Sequence, residues 1–96
     1  MKKAYILIHN DVFGSREEIK SVLEKSPVIN NWRYDMLHSF YLLSEYSAKE
    51  ISQYLTEKLG NEGRHIVTEV DTNYWGRTHK ETWAFIKKKG SKADIT

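Results

Sequence analysis

Apolar and polar positions along this 96-residue chain switch between the period of a strand and the period of a helix, and the switches predict its elements. Ala4 to Ile8 is an unbroken, β-rich apolar run, which suits a central strand covered on at least one face. His9-Asn10-Asp11 ends it, Phe13-Gly14 turns the chain, and Ser15 with Glu18 forms a capping box. Ile19, Val22 and Leu23 give a helical stripe over about 16–25, stopped ahead of Pro27. Two short strands are expected next. The first, about 31–35, sets Trp32 and Tyr34 on one face and Arg33 and Asp35 on the other. The second, about 39–44, is the two-sided run Phe40-Tyr41-Leu42-Leu43, reached through Met36-Leu37-His38.

The stretch from Ser47 to Asn73 has the clearest pattern. Ser47 and Glu50 form a second capping box, with Tyr46 placed to staple onto Ile51. Ala48, Ile51, Leu55 and Leu59 share one helical stripe, and Gly60 stands where a left-handed cap is wanted. A strand then alternates Ile66, Thr68 and Val70 against His65, Val67 and Glu69. Thr78 and Glu81 read as a third capping box before Trp83-Ala84-Phe85-Ile86, where a short helix is preferred to an edge strand. The order strand, helix, strand, strand, helix, strand predicts an α+β, ferredoxin-like βαββαβ fold. Its four-stranded antiparallel sheet would carry two helices on one face, plus a short C-terminal element. Residues 1–90 are expected to form one domain and 91–96 a frayed tail.

Composition narrows the function classes. No cysteine is present, which removes disulfides, thiolate metal sites and cysteine nucleophiles and leans towards a reducing compartment. The apolar run at the start is too short for a signal sequence or a membrane span, so a cytoplasmic protein without membrane contact is expected. A net charge of +2 does not by itself imply nucleic-acid binding, so the placement of charge matters. Neither phosphate-cradling glycine motif nor a nucleophile elbow is present. A domain of this size gains from burying a face against a second copy, so a homodimer is expected.

The first run with its polar ending, the central FYLLS-x-x-SAKEI and the later RHIVTEVDTNYWG together resemble the small SinR-like proteins. Those are related to the CRISPR-associated Cas-two endonucleases and to VapD-type toxins. The resemblance spans about residues 4–77 and implies a ferredoxin-like homodimer. In the nuclease members an acidic residue at the end of the first strand is implicated in metal binding. The corresponding pair here is His9-Asn10, with Asp11 one position later.

Three constellations carry candidate chemistry. His9, Asp11 and His65, with Asn10 and Glu62 nearby, are expected at one rim of the sheet, because its first and last strands are antiparallel neighbours. Imidazoles and a carboxylate there can act as acid and base, or Asp11 can hold magnesium or manganese. The same residues also suit the plain role of strand-ending turns. His38 and Asp71 are expected at the opposite rim. The second constellation interleaves the aromatics Tyr74, Trp75, Trp83 and Phe85 with the basic residues Arg77, His79, Lys80, Lys87, Lys88, Lys89 and Lys92. That is the composition of a single-strand binding platform, and equally of a packed face with a solvated tail. The third is Trp32 and Tyr34, expected on the sheet face without helices and available to a second subunit. The preferred reading is a homodimeric binding module without catalysis and without a cofactor, for nucleic acid or a protein partner. The alternatives are a metal-dependent endonuclease and a protein-only component of a toxin–antitoxin or phage system.

Overall fold

The computed structural model describes residues 1–89; the expected tail, 91–96, lies outside the described residues. The elements run β1 (Lys3–His9), α1 (Arg16–Glu24), β2 (Asn31–Arg33), β3 (Ser39–Ser44), α2 (Ala48–Leu59), β4 (His65–Val70) and α3 (Lys80–Ile86). The four strands form one antiparallel sheet in the order β2-β3-β1-β4, with α1 and α2 on one face: the ferredoxin-like βαββαβ arrangement.

Both helix starts follow from their capping boxes. The hydroxyl of Ser15 accepts from the Glu18 amide while the Glu18 carboxylate accepts from the Ser15 amide, and Ser47 and Glu50 repeat the arrangement. Each box satisfies two amides that a helix otherwise leaves unpaired. Gly60 ends α2 at φ 108° and ψ 175°, a backbone region open essentially to glycine alone rather than the left-handed cap expected.

Strand alternation sorts two cores. On the helix-covered face Tyr5, Leu7, Phe40 and Leu42 pack with Ile19, Leu23, Ile51 and Leu55. On the opposite face Ala4, Tyr41, Leu43 and Val70 are covered by Phe85 and Ile86 of α3. The sheet is therefore covered on both sides over one half. In the other half of the second face, the cross-strand pair Ile8 and Ile66 remains 50% and 59% exposed.

Several expectations are corrected. β2 stops at Arg33 instead of Asp35, because Asp35 leaves the ladder to bond with Thr78 and Thr82. Trp32 and Tyr34 do not lie on the open face. Trp32 pairs with Leu42, both rings stand edge-on to Phe40, and both pack against the helix-side core. The Arg16 guanidinium sits 4.4 Å from the Tyr34 ring centroid, closing that side. Thr78 does not cap α3. His79 holds the cap position without a side-chain bond, since the Thr78 hydroxyl is turned to Asp35. The segment Thr82–Ile86 is helix, as preferred. No helix among the described residues is long and apolar enough to cross a membrane.

Candidate functional site

The rim at the end of β1 gathers the polar groups the sequence singles out. Antiparallel pairing sets His9 opposite His65. His38, expected at the far rim, lies here as well: β3 runs antiparallel to β1, so the residue preceding β3 adjoins the end of β1, and the His9 amide donates to the His38 carbonyl at 3.0 Å. Asp71 follows β4 and does lie at the other end.

Most of these groups are engaged within the chain. Asn10 Oδ1 accepts from the amides of Phe13 and Arg64, both at 3.0 Å, which pins the turn and joins β1 to the start of β4. His65 stacks on Phe13 with ring centroids 4.1 Å apart, and its Nε2 shares a 2.7 Å hydrogen bond with Ser52. Burial holds the His65 pKa below its ordinary value. His9 is 4% exposed, with Nδ1 3.2 Å from the Asn10 carbonyl and Nε2 buried without a hydrogen-bond partner. The exposed Asp11 meets His38 Nε2 at 3.2 Å. Among the described residues no three His, Asp or Glu side chains gather closely enough to hold a metal ion.

Gly63 sets the shape of this rim. It has φ 79°, and a Cβ built on it would stand 2.1 Å from the Phe13 backbone nitrogen. Only a glycine lets the two loops touch.

The second site lies at the far end of β4, where the loop to α3 folds back over the helix. A cleft of about 620 Å3 is lined by Asp71, Tyr74, Trp75, Trp83, Lys87 and Lys89, among others. Trp83 comes from α3 and stacks on Tyr74, with centroids 5.9 Å apart and planes 20° from parallel. Trp75 stands 6.4 Å from Trp83 with the two planes inclined by 37°. It is 97% exposed, far more than any other tryptophan, tyrosine or phenylalanine. Lys89 Nζ lies 4.7 Å from the Tyr74 ring centroid and donates to the carbonyls of Val70 and Asp71, tying the end of α3 to the end of β4.

A polar latch positions Trp83. Arg33 Nε donates to Thr82 Oγ1 at 2.9 Å, Thr82 donates to Asp35 Oδ2 at 2.6 Å, and Thr78 donates to the same oxygen. Burial acts to raise the Asp35 pKa. The hydrogen bonds from Thr78 and Thr82, with the charges of His79 and Arg33, outweigh it and hold the carboxyl below its ordinary value. Burial and the Asp35 charge push the nearby Tyr41 phenol up. Nothing in the sequence announces this latch, because its members lie more than 40 residues apart.

Of the cations grouped in the sequence, Lys87 and Lys89 reach the aromatic cleft. Arg77 lines a separate hollow with Asp35 and His79, and Lys88 one with Arg33 and Glu81. Lys80 opens α3 on its exposed side. Phe85 is core. Comparison with protein-family models, curated proteins and solved structures finds no match for this chain.

Proposed function

We propose that this protein is a binding module for single-stranded nucleic acid, working through the cleft between β4 and α3. The carrying observation is Trp75: a 97% exposed indole beside a second tryptophan, with two lysines in the same lining. A large ring left in water is unfavourable for the free protein, and base stacking is what such a ring is suited to recover. Lysines in the lining supply phosphate attraction that salt weakens. The reading extends to a cytoplasmic homodimer, supported by the exposed Ile8–Ile66 strip on the open half of the sheet. Kinship with the SinR-like proteins belongs to the same proposal, and the strand order is compatible with it.

Metal-dependent cleavage at Asp11 is the weaker alternative. His65 is turned to Ser52 and Phe13, His9 is buried with its Nδ1 against the Asn10 carbonyl, and among the described residues the side chain that meets Asp11 is His38. Labelled single-stranded and duplex RNA and DNA, titrated over a salt series with and without magnesium or manganese, separate the readings. Salt-sensitive binding of single strands without cleavage supports the module. Metal-dependent cleavage supports the nuclease, and neither signal points to a protein partner.

A further inference from the structure

The cleft is a wedge with one fixed and one exposed jaw. Trp83 is the fixed jaw: it is half-buried on α3, stacked on Tyr74, and its neighbour Thr82 is tied to Asp35 and Arg33. Trp75 is the exposed jaw, carried on the loop between β4 and α3. Stacked bases repeat at about 3.4 Å, so two rings must stand roughly 7 Å apart to admit a third between them. The Trp75 and Trp83 ring centroids stand 6.4 Å apart with planes inclined by 37°, so Trp75 has to swing on its exposed loop to bring the two faces parallel across such a gap. Neither ring needs to leave a packed core to complete the fit, since Trp75 has almost no burial to lose.

Charge at the wedge is uneven. Lys87 and Lys89 line it from the end of α3, whereas Asp71 is the one carboxylate in the lining among the described residues. Lys89 is already held by two carbonyls, which leaves Lys87 as the cation best placed to move onto an anion. Asp71 repels phosphate and suits a hydroxyl or amine donor. A planar group with a phosphate at one end and donors at the other matches this distribution.

We propose that the wedge takes one nucleotide unit, its base intercalated between Trp75 and Trp83 and its phosphate at Lys87. This deepens the proposed function and rests on it. Purines are preferred, because the larger ring stacks over more of both indoles. A free nucleotide and one residue of a strand share this chemistry.

The test uses the full chain and its intrinsic tryptophan fluorescence, titrated with AMP, GMP, CMP, ribose 5-phosphate and an eight-residue oligoadenylate. AMP and GMP are expected to quench saturably, CMP more weakly, and ribose 5-phosphate not at all. Trp75→Ala weakens AMP binding about tenfold or more, and Trp75→Phe restores most of it. Trp75→Ala removes an exposed ring, so an unchanged melting temperature separates this loss from misfolding. Both arms of the oligonucleotide comparison uphold the intercalated base. An octamer no tighter than its eight bases warrant identifies a free nucleotide as the ligand, and a much tighter octamer identifies a strand. Octamer binding with no response to AMP or GMP overturns the intercalation and leaves the strand-binding function standing. AMP binding that Trp75→Ala leaves unchanged also overturns it. No binding of any of them overturns both.

Discussion

The two ends of β4 carry opposite kinds of surface. At its start lie three histidines, an asparagine and an aspartate, the residue types from which catalytic and metal sites are built. Yet Asn10 is consumed by two backbone amides and His65 by Ser52 and Phe13, the exposed Asp11 meets His38, and His9 is buried with its Nε2 unpartnered among the described residues. At its end lies a cleft with no histidine among its described lining residues, but with an indole left in water and lysines beside it. Asn10 and His65 of the first region are held for the fold; the second leaves an indole unspent. Residue type alone would favour the first as the working site, and the state of each group favours the second.

Breaking the first region should cost stability, and the largest effect is expected at Gly63. Gly63→Ala combines a positive φ with a Cβ against the Phe13 backbone, and should lower unfolding free energy by about 3 kcal/mol or more in urea titration. A loss below about 1 kcal/mol would mean that the loops part easily. The second region has its own structural anchor. Asp35→Ala strands the hydroxyls of Thr78 and Thr82 and should cost about 2 kcal/mol. It should also shift Trp83 emission, since Thr82 of α3 is then held by Arg33 of β2 without its bond to the Asp35 carboxylate. An unaltered spectrum would show that Phe85 and Ile86 suffice to hold the helix.

A subtler effect separates the regions by pH. The His65 pKa is held below its ordinary 6.5, so the unfolded chain takes up a proton first as pH falls. The stability from the neutral ring is complete above 6.5 and is lost as pH falls through the lower folded value. Melting temperature should therefore drop between pH 7 and 5 more steeply for the native chain than for His65→Gln. The smallest effect is at the exposed pair: Asp11→Asn should change stability by about 0.5 kcal/mol or less.

How far these contrasts could be read from the sequence follows from the range of each interaction. Both true capping boxes span four residues, so Ser15–Glu18 and Ser47–Glu50 were legible as written. Thr78–Glu81 matches the same pattern and fails, because Asp35 competes for the Thr78 hydroxyl from 43 residues away. The faces of β4 followed from alternation, whereas that of Trp32 needed to be fixed by its partner Leu42. The rim position of His38 follows from antiparallel pairing of β1 with β3, so topology alone was sufficient to place it beside His9. In the cleft the aromatic and basic composition was visible. The selection of Lys87 and Lys89 from among the cations required the fold of the loop over α3.

On the proposed function, the cleft binds and the rim supports. It is tested most directly by titrating one fluorescent single-stranded oligonucleotide, with and without magnesium, into the native chain, Trp75→Ala and Asp11→Ala. Salt-sensitive binding is expected that Asp11→Ala leaves intact and Trp75→Ala weakens about tenfold or more, with the strand recovered uncut. Magnesium-dependent cleavage abolished by Asp11→Ala, with Trp75→Ala still active, would contradict it.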